Sequence, residues 1–182
     1  MPVRAGRSGA PPDRPLHDAT HGVPRSLPPW AAKDKRTLYL DLAEVLEALL
    51  AGEPDRPANA AKAAAAIYRS LRALNWAGFY FLRGEELVLG PFQGKPACVR
   101  IPMGRGVYGT AARERRPVLV PDVEAFPGHI ACDSASRSEL VIPLLNGEQL
   151  LGVLDMDSPD LNRFDTEDRA GCEAVPAIVV RH

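Results

Sequence analysis

The periodicity of the chain changes at Leu74, and this change restricts the fold more than any other feature. Upstream of it, Leu38, Leu40, Leu42, Val45, Leu46, Leu49 and Leu50 recur close to helical spacing, which predicts an amphipathic helix from Lys35 to Ala51, stopped by Gly52 and Pro54. A second helix is predicted from Asn59 to Leu74, with an alanine-rich face that permits close approach to a neighbour. Downstream the pattern alternates. Trp76 to Leu82 reads as a strand, Arg83-Gly84-Glu85 as a turn and Glu86 to Gly90 as the hairpin partner. A third strand is predicted over Ala97 to Ile101, a short helix over Gly106 to Arg115 and a short strand over Pro117 to Pro121. Ser138 to Leu144 and Gln149 to Asp157 form an antiparallel pair turned at Asn146-Gly147, and Thr166 to Val180 a terminal helix. Parallel strands need a crossover of a dozen or more residues, which most of these connections are too short to supply. The expected fold is therefore α+β, an antiparallel sheet flanked by helices from both ends of the chain.

Ahead of residue 35 the chain is of a different kind. Met1 to Pro29 is dense in proline, arginine and glycine and has almost no apolar periodicity, so residues 1–34 are expected to be a disordered extension and residues 35–182 the single domain. With 22 basic against 23 acidic residues, there is no charge excess to favour nucleic acid or an anionic membrane. No apolar run is long enough to span a bilayer, and the N-terminus lacks a signal peptide's apolar stretch, so the expected location is cytoplasmic. Three cysteines cannot close a disulfide framework, and in a reducing compartment each is reactive or merely buried.

Cys132 lies in the run Phe126-Pro127-Gly128-His129-Ile130-Ala131-Cys132-Asp133-Ser134-Ala135-Ser136, among turn formers, hydroxyls and an acid rather than the apolar neighbours of a structural thiol. Five strings occur in a recognisable order: Asn75-Trp76-Ala77-Gly78-Phe79-Tyr80, Gly90 to Cys98, Gly104-Arg105-Gly106-Val107-Tyr108-Gly109-Thr110-Ala111, the Phe126 to Ser136 run, and Leu154-Asp155-Met156-Asp157-Ser158-Pro159. Together they resemble the free methionine-(R)-sulfoxide reductases, which are single GAF domains, over roughly residues 35 to 175. The resemblance implies a six-stranded antiparallel sheet with helices on one face and a lidded ligand pocket on the other. It also implies reduction of free L-methionine-(R)-S-oxide, no bound cofactor, thioredoxin as external reductant, and a homodimer as a reasonable assembly.

That chemistry needs a thiolate to attack sulfur and an acid to protonate the oxygen, leaving methionine and a cysteine sulfenic acid. Cys132 suits the first role, and Cys98 suits the thiol that resolves the sulfenic acid to a disulfide, with the Gly90 to Pro96 run as a mobile lid. A passive strand residue is the alternative for Cys98. The resemblance places Glu139, Asp155 and Asp157 in the substrate site, Glu139 and Asp157 on the sulfoxide oxygen and Asp155 on the substrate ammonium, or the reverse. Asp122 is a further ammonium contact or a turn cap. Trp76 and Tyr80, on one strand face, enclose the methyl-sulfur group or pack as core aromatics. Many family members carry a third cysteine where this chain has Tyr108, and Cys172, in the terminal helix, reads as a core thiol rather than its replacement. Two other functions are open: a GAF sensor that binds a small molecule without chemistry, and a metal site at Cys98, His129 and Cys132.

Overall fold

In the computed structural model, which describes residues 34–182, each predicted element is present and several have different ends. Helix α1 (Lys35–Leu50) is capped by Asp34, whose carboxylate accepts from the Thr37 backbone N–H at 3.0 Å. The extension expected over residues 1–34 thus lies outside the described residues, apart from Asp34, which belongs to the helix. Helix α2 (Arg56–Ser70) begins three residues earlier than its alanine pattern indicated, because Asp55 caps the Ala58 N–H at 2.8 Å and Pro57 occupies the first turn.

The sheet has six strands, β1 (Trp76–Arg83), β2 (Glu86–Gly94), β3 (Arg100–Pro102), β4 (Val118–Val120), β5 (Ser138–Asn146) and β6 (Gln149–Ser158), in the spatial order β3-β2-β1-β6-β5-β4 with antiparallel pairing throughout. Two sequence expectations change here. The Gly90 to Pro96 run is not a free lid: Gly90 to Gly94 continues β2, with Phe92 opposite Gly78 and Gly94 opposite Trp76. Nor is Cys98 a strand residue, since β3 starts only at Arg100 and Cys98 sits in the connection before it. Proline and glycine in 90–96 mimic a loop, yet Pro91 does not prevent the pairing of the residues that follow it.

One face of the sheet, bearing Ala77, Phe79, Leu140, Ile142, Leu144, Leu154 and Met156, packs on α1, α2, α4 (Thr166–Cys172) and α5 (Ala174–Arg181). Leu42, Leu46 and Leu50 of α1 are fully buried there, each worth about 1.5–3 kcal/mol relative to exposure. The expected single terminal helix is broken at Glu173, because Pro176 offers no N–H to the Cys172 carbonyl and fits instead in the first turn of a new helix. Cys172 is the core thiol anticipated, 1 % exposed with its Sγ 3.9 Å from Met156 Sδ, and burial pushes its pKa up to about 12.

The opposite face carries Trp76, Tyr80, Val141 and Val153, and α3 (Gly106–Glu114) lies over it through Val107, Tyr108, Ala111 and Ala112. The long β4–β5 connection, containing a 3₁₀ turn at Val123–Ala125 and Cys132, closes over the same face. Among the described residues, no helix is long and apolar enough to cross a membrane.

Candidate active site

Side chains alternate across a strand, so the register of β1, β6 and β5 decides which residues share the covered face. Trp76 stands opposite Asp157, Gly78 opposite Asp155 and Tyr80 opposite Val153, while Asp157 and Asp155 face Glu139 and Val141 on the other side. Glu139, Asp155 and Asp157 are thereby brought to one spot, with a carboxylate oxygen from each within 4.8 Å of the others. Glu139 and Asp155 are 0 % exposed and Asp157 is 6 % exposed. Among the described residues, neither oxygen of Glu139 has a hydrogen-bond partner.

Three acids sealed in this way cannot all remain charged. Burial, then repulsion from the neighbouring acids, raises Glu139 and Asp155 well above the ordinary carboxylate range. Asp157 is raised to about 7, first by burial and then by the charge of Asp133, against a hydrogen bond from Ser136. The cluster thus holds protons near neutrality.

The walls are aromatic. Trp76 and Tyr80, expected on one face, have ring centroids 5.9 Å apart, and Trp76 stacks on Phe92 at 5.4 Å with 12° between planes. Gly78 makes this arrangement possible: a Cβ there would stand 2.6 Å from the Trp76 ring and collide with the Phe92 side chain. Gly78→Ala is expected to lower stability by about 1–3 kcal/mol and to displace Trp76. Denaturant melts read together with indole fluorescence check this, and an unchanged midpoint would count against the close approach.

Tyr108 was noted in the sequence only as a missing thiol. The structure gives it a place in the site: its ring lies 5.1 Å from that of Tyr80, and burial, then the charges of Asp155, Glu139 and Asp157, drive its phenol far above its usual pKa. It is a neutral wall at working pH. His129, considered in the sequence only as a metal ligand, stands beside the acids: its Nε2 lies 3.8 Å from Glu139 Oε2, with burial lowering its pKa so that the ring is neutral near pH 7. Its only sequence signal was its place three residues ahead of Cys132.

Cys98 and Cys132, 34 residues apart, are joined as a disulfide with their Cα atoms 5.5 Å apart. The pocket aromatics hold the Cys98 loop directly: Tyr80 Oη donates to the Cys98 carbonyl at 2.9 Å and Trp76 Nε1 to the Lys95 carbonyl at 3.1 Å. Asp122 caps the 3₁₀ turn, accepting from the Glu124 N–H at 3.1 Å.

Known proteins are similar to this chain in sequence and fold. The GAF domain model matches residues 56–177. Free methionine-R-sulfoxide reductase of Escherichia coli is 50% identical over 144 residues, covering 79% of this chain and 87% of its own. Protein YtsP of Bacillus subtilis is 56% identical over 137 residues, covering 74% of this chain and 84% of its own. Among solved structures, free methionine-R-sulfoxide reductase from Neisseria meningitidis, in complex with its substrate, superposes with a TM-score of 0.79 at 43% identity, covering 83% of this chain and 91% of that one.

Proposed function

Because the chain belongs to the free methionine-R-sulfoxide reductase family of GAF-domain proteins, we propose that it reduces free L-methionine-(R)-S-oxide to L-methionine, with Cys132 as nucleophile and Cys98 as resolving thiol. The observation that supports this reading is the Cys98–Cys132 disulfide set on the same face as the buried carboxylates of Glu139, Asp155 and Asp157. A redox couple and a proton store are what sulfoxide reduction requires.

In the first step the Cys132 thiolate attacks the substrate sulfur while Glu139 or Asp157 protonates the oxygen. The sulfur–sulfur bond formed in the attack and the substrate's sulfur–oxygen bond then break as the hydroxyl passes to the Cys132 sulfur, so that two electrons go to the methionine sulfur and Cys132 is left as a sulfenic acid. Cys98 then attacks that sulfur, the disulfide forms, and the oxygen leaves as water. A dithiol reductant of the thioredoxin type returns both cysteines to thiols. Asp155 serves the substrate ammonium, and Trp76, Tyr80 and Tyr108 enclose the methyl-sulfur end. Preference for the free amino acid follows from charge, since a residue inside a peptide has no α-ammonium to offset the buried carboxylates. Residues 35–182 form the catalytic unit, working without a bound cofactor in the cytoplasm, and a homodimer is the assembly in keeping with the family.

The test is consumption of free L-methionine-(R)-S-oxide by purified protein with thioredoxin or dithiothreitol, alongside the S epimer and a peptide containing the R epimer. Turnover is expected with the free R epimer alone. Equal rates on the peptide would overturn the assignment of the carboxylates to the ammonium, and no consumption of any of the three would overturn the reductase reading.

A further inference from the structure

The two cysteines are carried by separate loops, the Lys95 to Val99 connection and the β4–β5 connection, and a disulfide forms only when these meet. They are fastened at one residue, Asp133, next to Cys132. Its Oδ1 accepts from Lys95 Nζ at 3.3 Å and from the Ala135 N–H at 2.9 Å, and its Oδ2 accepts from Asn75 Nδ2 at 3.2 Å. Asn75 Nδ2 also donates to Ser136 Oγ at 3.0 Å, and its backbone N–H donates to the Asp157 carbonyl at 3.1 Å, so the Cys132 loop is tied to the entry of β1. Lys95 makes the only one of these side-chain bonds to Asp133 that comes from the Cys98 loop. The Asp133 side chain is 8% exposed and that of Lys95 is 68% exposed, so a fixed anion faces a cation that solvent can reach.

We propose that Asp133 and Lys95 are positioning residues for the resolving step, a latch that draws the Cys98 loop onto the Cys132 loop once the sulfenic acid has formed. This rests on the assignment of Cys132 and Cys98 above. The step it assists is balanced within the protein: the Cys98 sulfur bonds to the Cys132 sulfur, the sulfur–oxygen bond of the sulfenic acid breaks, and the oxygen departs as water with the thiol proton. Engagement of the pair raises the local concentration of one sulfur at the other and takes no part in the attack on substrate.

Pre-reduced protein is mixed with one equivalent of free L-methionine-(R)-S-oxide without external reductant, and three quantities are followed in time: methionine released, thiols remaining, and sulfenic acid trapped by dimedone. Lys95→Met is expected to release methionine at the wild-type rate while the disulfide closes about three- to fivefold more slowly, as loss of a half-exposed ion pair allows. Because the cation is exposed, wild-type closure in about 1 M salt is expected to slow to the Lys95→Met rate, the variant itself being insensitive. Lys95→Arg is expected to restore both the rate and its salt dependence, which a purely structural role for the side chain would not link. Wild-type release of methionine with unchanged closure in Lys95→Met, or the same salt response in both proteins, overturns the latch alone. No release of methionine by wild type overturns the assignment of the site and the latch with it.

Discussion

Cys132→Ser is expected to lower turnover of free methionine sulfoxide by on the order of 10³-fold or more, because a serine hydroxyl near neutral pH supplies neither the anion nor the polarisable sulfur that attacks the substrate. Cys98→Ser should behave differently. It keeps the nucleophile, so without external reductant it is expected to release one methionine per chain, lose one thiol and accumulate a sulfenic acid. Wild type should release one methionine and lose two thiols to the Cys98–Cys132 bond. The two variants separate attack from resolution, and Cys172, buried against Met156 and with its pKa pushed up to about 12, should not substitute for either thiol. Full turnover by Cys132→Ser would remove the mechanism. Two thiols lost by Cys98→Ser would show that another sulfur resolves.

Glu139→Gln is expected to reduce kcat about 10²- to 10⁴-fold, the usual contribution of a positioned acid, with the substrate sulfur still reached by Cys132. The same cluster should oppose stability, and Asp157→Asn tests that side. The Asp157 carboxyl is raised in the native state to about 7 by burial and by Asp133, whereas in the unfolded chain it titrates near the ordinary value of 3.8. Between those two values the native state holds a proton that the unfolded chain has released, so stability is fully present below about pH 4 and is lost as pH rises through about 7. Over that window the loss is expected to be on the order of a few kcal/mol. Asp157→Asn removes the titration, so it should melt close to wild type near pH 4 and above it at pH 8. Denaturant midpoints at the two pH values check this, and a wild-type advantage at pH 8 would mean that Asp157 is compensated by a partner. A gain in stability at pH 8 together with lost activity would show that the cluster is kept for chemistry rather than for folding.

How much of this was legible in the sequence depended on whether the determinant was local. The hairpin of β1 and β2 was plain because alternation and a Gly84 turn are neighbouring features, and α1 was plain because Leu42, Leu46 and Leu50 repeat at one helical face. The end of β2 was not, since Gly90, Pro91 and Gly94 carry loop chemistry and only pairing with β1 overrides it. Tyr108 read as an absent cysteine because its side chain acquires meaning only when α3 is laid across the sheet opposite Tyr80. Asp122 was equally ambiguous between cap and ligand, and its bond to the Glu124 N–H shows the cap in use.

From the sequence alone came the order of the elements, the candidate thiol in polar company, the second thiol, the acids and the family to which they point. Each rests on composition or spacing within a few residues, or on short strings in order. What only tertiary structure decided is which of those groups meet and how dry the meeting place is. Antiparallel register sets Glu139 opposite Asp157 and Asp155 beside them, a covering helix and loop remove water, and burial then turns three ordinary acids into proton holders. The Cys98–Cys132 bond and the Lys95–Asp133 contact belong to the same category. Their partners are 34 and 38 residues apart, and their distances and exposures are properties of the packed chain rather than of any segment of it.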